Sequence, residues 1–528
     1  MLALEFVVIL GVVILACTLL ARRVRIAPPV VLIIGGVAVG FIPALRGVEL
    51  PSEIVLLLFL PALLYWESLT TSLREIRANL RGIVLMSTGL VVATAAAVAV
   101  VAHLLGLAWG PAWVLGAALA PTDATAVAAL TRGLPRRNLT VLRAESLIND
   151  GTALVLYGIA VAVTVGEAQV DAFYISWNLV LSYGGGILAG GIIAWIAILV
   201  RRRVNDPVMD NVAILLIPFS AFLVAEAIGA SGVLAVVVAG LAMSQAGPRV
   251  GHAQSRQLTQ PFWSFSTYIL NAALFVLVGI EVQKAVRGLS SVDLRNGLIA
   301  VAGFSVILVV VRFVFLFAST YAIRVLDRRP SQRERRMPHR ARVISGLAGF
   351  RGAVSLAAAL AVPATLSSGA SFPGRDFIIF VTAGVIVVTI VVQGLVLPVV
   401  VRWAALPADE DQDSELKLAE RSATEVALAA LPKVAAEMGV DDEVVEQITT
   451  EYNEHLSVIA VPAHKIETSV TTQRHKQYTD LRVAMLGHKR AELIRLRDEG
   501  QIDDIVLREV QELLDVDELR MTGRDPVE

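Results

Sequence analysis

Residues 143–157 read RAESLINDGTALVLY, and they place Glu145, Asn149 and Asp150 inside what is otherwise apolar helix. A second stretch, GAALAPTDATAVAAL at 116–130, adds Asp123 to another such segment. Runs without a formal charge surround both, at 82–101, 102–122, 151–166, 227–248 and 352–374. Of the 528 residues, 56% are hydrophobic and 17% are charged, more apolar and less charged than soluble domains. A soluble protein of this length could not bury every one of these runs and keep a solvated surface. The fold class expected is therefore an all-α polytopic membrane protein, and the carboxylates within it need an explanation.

The opening MLALEFVVILGVVILACTLL reads as a first span rather than a signal peptide, because Glu5 stands where a basic n-region belongs and ARRVR follows the run as an anchor. Cys17 is the single cysteine, which excludes intrachain disulfides and multi-cysteine metal sites. The formal net charge of −1 conceals two halves: residues 1–408 carry 31 basic and 18 acidic groups, and residues 409–528 carry 14 and 28. The expected division is a membrane domain over 1–405 and an acidic, helical, cytoplasmic tail over 406–528. In the tail, SELKLAERSATEVALAALPKVAAEMG and DIVLREVQELLDVDEL have helical apolar spacing. Its histidines fall in no ligand spacing, and no nucleotide, nucleic-acid or cofactor motif is present. A regulatory or assembly role suits it.

Segments of about 20 apolar residues, enough for roughly 30 Å of hydrocarbon, number thirteen. They lie near 3–20, 27–43, 52–68, 81–104, 111–130, 141–163, 173–199, 209–226, 229–244, 262–281, 297–322, 342–361 and 376–401. With the N-terminus outside, inward loops hold 23 arginines and outward loops five basic residues, so the C-terminus is expected in the cytoplasm. Spans 1–6 and 8–13 then form two inverted six-helix halves. That symmetry pairs span 5 with span 12, and both are interrupted, by APTDATA in one and by AGFRGAVS and AVPA in the other. Interrupted pairs point to a midplane binding site.

A carboxylate in hydrocarbon costs several kcal/mol, so it must face protein or a wet cavity. Asp150 lies roughly 13 Å along span 6, near mid-bilayer, with Ser146 one turn away and Asn149 adjacent. A carboxylate, a hydroxyl and backbone carbonyls form a hard oxygen site for a small monovalent cation or a proton. Asp123, roughly 18 Å along span 5, either joins that site or caps the broken helix, where Pro121 withholds an N–H and Thr122 offers a hydroxyl. Glu145 needs a cation, and Arg312 in VILVVVRFVFLF needs an anion; we expect the two to pair as an architectural bridge. Arg351, between glycines, either offsets the site's negative charge or snorkels to the cytoplasmic surface. Glu67 lines a cytoplasmic funnel or faces headgroups, and Glu226 is expected at an interface.

PTDATAVAAL (121–130), ESLINDGTALVLY (145–157), GFRGAVSLAAAL (349–360) and LFLPALLYWESL (58–69) together resemble the monovalent cation:proton antiporter family, in its bacterial NhaP-like sodium/proton exchanger branch. The resemblance covers roughly 1–405. It implies thirteen helices, two interrupted helices that cross, and a homodimer with a moving core of spans 4–6 and 11–13. It implies that Asp150 binds ion and proton, that Ser146 and Thr122 help to ligate the cation, and that Thr122 and Asp123 belong to the unwound crossing. It also implies that Glu145 pairs with Arg312 and that Arg351 is the family arginine. An Asn149–Asp150 pair is the pattern of the electroneutral exchangers.

The expected function is electroneutral antiport of Na+, with Li+ or K+ as alternatives, against H+ by alternating access with competition at Asp150. The setting is a bacterial inner membrane, with lipids and a second copy as the other partners. A K+/H+ antiporter is the runner-up; a cation channel or a membrane sensor are the remaining rivals. A channel needs a filter motif that is absent, and a metalloenzyme needs HExxH, which is also absent.

Overall fold

The structure is a computed structural model that describes residues 2–24, 26–42, 55–124, 127, 136–166, 172–251, 253–288, 291–326, 338–406, 410–459, 470–499, 501 and 504–522. Residues 125, 126 and 128–130 of span 5, and the loop arginines Arg25, Arg46, Arg132, Arg328, Arg329, Arg333, Arg335 and Arg336, lie outside them. The chain divides into two compact units, Met1–Ala408 and Asp409–Glu528.

In the first unit α1 is Leu2–Val24 and α2 is Pro28–Val39, opened by prolines that need no donor there. A π-helical turn at Val55–Phe59 leads into α3, Leu60–Thr70. Ser72 caps the next helix by accepting from Glu75 N–H at 3.4 Å. That helix, α4, runs over Leu73–Leu104 with a π segment at Leu85–Leu90. Then follow α5 (Trp109–Leu119), α6 (Arg136–Val165), α7 (Ala172–Arg201), α8 (Pro207–Ala227), α9 (Gly232–Val250), α10 (Ala253–Gly288) and α11 (Ser291–Leu326). Two short helices, α12 (His339–Leu347) and α13 (Ala353–Leu360), flank a non-helical stretch, and α14 covers Arg375–Ala404 with a π segment at Thr389–Gln393.

Among the described residues nine helices are long and apolar enough to cross a membrane: α1, α4, α6 to α11 and α14. Two shorter apolar helices, Pro28–Val39 and Leu57–Thr70, accompany them. This is an all-α, multi-pass membrane fold. Its outer surface is apolar, as lipid requires: Leu4, Val8, Val12 and Leu19 of α1 and Trp177, Leu188 and Trp195 of α7 are exposed.

Packing falls into clusters. Ile33 of α2, Val276 of α10 and Ile386 of α14 belong to one. Here α2 and α10 approach backbone to backbone, since a Cβ on Gly36 would lie 2.1 Å from Val276 O and one on Gly279 would lie 2.2 Å from Ile33 O. A second cluster joins α3, α7, α8 and α9 through Tyr65, Ala194, Ile217 and Val236. A third joins α4, α5, α11 and α14 through Val98, Leu115, Phe304 and Val385.

Two arginines counted from sequence as loop charges are in fact buried. Arg201 sends Nε and Nη2 to Asp210 Oδ1 and Oδ2 at 2.6 and 2.9 Å, and Ser255 Oγ donates to Asp210 Oδ2 as well. This network ties α7 to α8 and α10. Arg342 is 1% exposed, with its guanidinium 5.8 Å from the Phe317 ring centre. Hydropathy places a charge at a span's end; it cannot say whether the chain folds over it. Glu226 is exposed at the end of α8, where its carboxylate accepts from Gly232 N–H at 3.2 Å.

The second unit is helical: α15 (Glu410–Met438), α16 (Asp442–Ile459), α17 (Val470–Asp498) and α18 (Asp504–Thr522). Arg490 of α17 reaches Asp515 and Glu518 of α18.

Candidate functional site

The site forms where two helices stop. Pro121 has no N–H to continue α5, and α12 runs into Gly-rich sequence at 346–352. The broken ends meet: Asp123 N–H donates to Phe350 O at 2.8 Å. The approach is close enough that a Cβ on Gly352, the residue before α13, would lie 1.9 Å from Asp123 Oδ2. Asp123 thus sets a negative group against the positive end of α13.

Arg351 is 2% exposed and does not snorkel. Its Nε donates to Leu119 O at 3.0 Å and its Nη1 donates to Gly349 O. Its charge sits on carbonyls freed where α5 and α12 end, which satisfies acceptors and opposes the negative helix ends. Thr389, in the π segment of α14, accepts from Arg351 N–H at 3.4 Å.

Helix α6 presents Glu145, Ser146, Asn149 and Asp150 to this crossing; all four are buried. Ser146 Oγ donates to Thr122 O at 2.7 Å and accepts from Ala124 N–H at 3.3 Å. Asn149 Nδ2 donates to Thr122 Oγ1 at 2.7 Å, while Asn149 Oδ1 has no hydrogen-bond partner. The two side chains therefore hold the unwound strand of α5 against α6. Behind them Arg312 Nη1 lies 2.7 Å from Glu145 Oε1, with both side chains buried. The contact is a charge pair rather than an in-line hydrogen bond. Arg312 Nε also donates to Ser345 O at 2.8 Å, so one guanidinium joins α6, α11 and α12.

Asp150 faces a cavity of about 40 Å³ whose wall includes Glu67, Thr122, Asp123, Ser146 and Asn271. One water needs roughly 10–15 Å³ of such space, so a few waters fit, or an ion stripped of most of its shell. The wall is rich in oxygen: three carboxyl groups, three hydroxyls and the backbone of a broken helix. Glu67 Oε1 is buried there without a hydrogen-bond partner. It stands on the wall of the site cavity itself. Among the described residues no group of three His, Cys, Asp or Glu is placed to hold a resident metal.

The sequence profile described as sodium/hydrogen exchanger, transmembrane, matches residues 9–403. The chain belongs to the sodium/hydrogen exchanger family. An uncharacterised Na+/H+ exchanger of Mycobacterium tuberculosis is 44% identical over 506 residues, covering 96% of this chain and 93% of that one. A Na+/H+ antiporter of Aphanothece halophytica is 31% identical over 410 residues, covering 76% and 75%. Among solved structures, a sodium proton antiporter from Methanocaldococcus jannaschii shares the fold with TM-score 0.58 at 18% identity, covering 76% of this chain and 99% of that one. The exchanger is thus a transporter rather than an enzyme, and moves a monovalent cation and H+ across a membrane.

Two residues on the exchanger's cavity were missed by sequence reasoning. Asn271 of α10 and Ser355 of α13 both line it. Ser355 is the one polar residue of the short α13, and Asn271 opens the apolar run NAALFVLVGI of α10, a weaker signal than Asp150 because neither carries a charge. A search restricted to ionisable side chains passes over them.

Proposed function

We propose that the exchanger performs electroneutral antiport of Na+ against H+, one for one, with Asp150 as the shared binding group. The observation that carries this reading is the buried Asp150 carboxyl on a small cavity walled by oxygen atoms at the meeting of two broken helices. Asp150 takes a proton or a partly dehydrated cation, not both. Ser146 and Thr122 complete the cation's oxygen set, and Asp123 and Glu67 add negative potential that attracts either ligand. Either ligand cancels the Asp150 charge, and a core with less charge crosses its low-dielectric barrier more readily. A downhill proton gradient then drives cation in the opposite direction. Because Asn149 rather than a second aspartate precedes Asp150, one charge is carried each way. Relatives named as Na+/H+ exchangers and antiporters support Na+ ahead of K+.

Thirteen spans in two inverted halves, an external N-terminus and a cytoplasmic C-terminus belong to this reading, supported by the loop arginines and the paired interruptions. A homodimer with α4–α6 and α11–α14 as the moving core follows from the family resemblance. The decisive test is Asp150→Asn in everted vesicles with a ΔpH-sensitive dye. Addition of Na+, Li+ or K+ should then give no dequenching, although the protein remains folded in the membrane. Wild-type exchange by this variant refutes the assignment. Dequenching by K+ alone in the native chain would favour the K+/H+ alternative.

A further inference from the structure

The outer face of α4 carries a second feature, separate from the ion site. An open apolar hollow of about 890 Å³ runs along this one helix, lined by Arg81, Val84, Thr88, Gly89, Val92 and Ala96 among others. An α-helix turns about 100° per residue, so a row of positions four apart drifts by about 40° at each step. The wider π turn at Leu85–Leu90 takes back part of that drift. The row 84–88–92–96 therefore stays on one side, and its small residues leave it concave.

The same face ends in charge. Arg77 and Arg81 are exposed, while Ile76 and Ile83 on the opposite side are buried in a cluster with Ala144 of α6. The hydrophobic segment begins near Arg81, so the two arginines stand at headgroup level. From Val84 to Ala96 the trough rises roughly 18 Å along the helix, close to one leaflet's roughly 15 Å of hydrocarbon. A basic head continuous with an apolar trough one leaflet long matches one kind of molecule.

The geometry points to a binding site for an anionic phospholipid, its phosphate on Arg77 and Arg81 and one acyl chain along Val84–Ala96. Charge complementarity selects an anionic lipid over a neutral one, and the trough's length selects a lipid over a soluble phosphate. The site backs onto α6, the helix of Asp150, through Ile76 and Ile83. The proposal does not depend on which ion is exchanged.

The test is native mass spectrometry of the full-length protein, released from detergent with phosphatidylglycerol or phosphatidylcholine added. One phosphatidylglycerol should remain bound, in preference to phosphatidylcholine. The double variant Arg77→Gln, Arg81→Gln should weaken its retention by about 30-fold, about fivefold for each basic side chain. Thr88→Trp, which fills the trough and leaves both arginines in place, should also release it. Arg77 and Arg81 are exposed and Thr88 is half-buried, and a wild-type thermal unfolding midpoint is the check that both variants fold. Equal retention of the two lipids, unchanged retention by both variants, or displacement by equimolar glycerol phosphate overturns the proposal. So does a crosslinker at position 88 that captures a second copy of the chain instead of lipid.

Discussion

At the scale of single residues, Glu145 and Arg312 show what a buried charge costs when its partner is removed. Both are at most 5% exposed and 2.7 Å apart. Removing one leaves an uncompensated ion in the interior, at about 3–5 kcal/mol. Removing both leaves neutral groups, and a smaller penalty. Glu145→Gln or Arg312→Met alone should therefore lower the thermal unfolding midpoint in detergent more than the double variant does. Additive losses would mean that the two charges are not coupled. Asn271 is the opposite case, a neutral group on the wall of the cavity that Asp150 faces. Asn271→Ala removes one acceptor and one donor from the wall without filling the cavity. Loss of a hydrogen bond worth about 1 kcal/mol or slightly more should raise the apparent KM for Na+ about tenfold and leave the maximal rate within about twofold. A fall in maximal rate at constant KM would place Asn271 outside cation binding.

At the scale of elements, the two interruptions decide the site, and they were only partly legible in the sequence. Pro121 announces the end of α5, because a missing N–H is a local property. The carboxylates of 143–157 were equally plain, since charge stands out against hydrocarbon. What sequence could not supply was the partner. Nothing local says that Ser146 donates to Thr122 O, or that Arg351 reaches across to Leu119 O. Those contacts span 24 and 232 residues and depend on how α5, α6 and α12 pack. The same holds for Arg201, whose partner Asp210 lies across the turn between α7 and α8. Gly352 tests the crossing directly. A methyl at this position collides with Asp123 Oδ2 and must push apart the end of α5 and the start of α13. Gly352→Ala should reduce exchange by at least about tenfold, as misplacement of about 1 Å does in a preorganised site, while the outer helices still insert. Exchange at the native rate would show that the crossing has slack that its contacts do not suggest.

At the scale of the whole molecule, the proposed sharing of one carboxyl by two ligands predicts how rate depends on pH without a separate sensor. Where H+ and Na+ compete for one group, mass action makes the apparent KM for Na+ rise about tenfold for each unit that pH falls once the group is mostly protonated. The acid limb of activity should accordingly move about one pH unit lower for each tenfold increase in Na+. The competing explanation is a pH-responsive tail. Residues 409–528 form their own compact unit and hold 28 of the 46 acidic side chains, so they could titrate and act on the transport unit. The two explanations separate cleanly. Competition is a property of Met1–Ala408 and predicts the same one-unit displacement in the full chain and in a chain ending at Ala408. A tail sensor predicts an acid limb that stays fixed as Na+ rises, and that shifts or disappears when the tail is removed. Dye dequenching across a grid of pH and Na+ in everted vesicles measures both chains in one series. A limb that ignores Na+ in the full-length exchanger would mean that proton and cation do not contend for the same group.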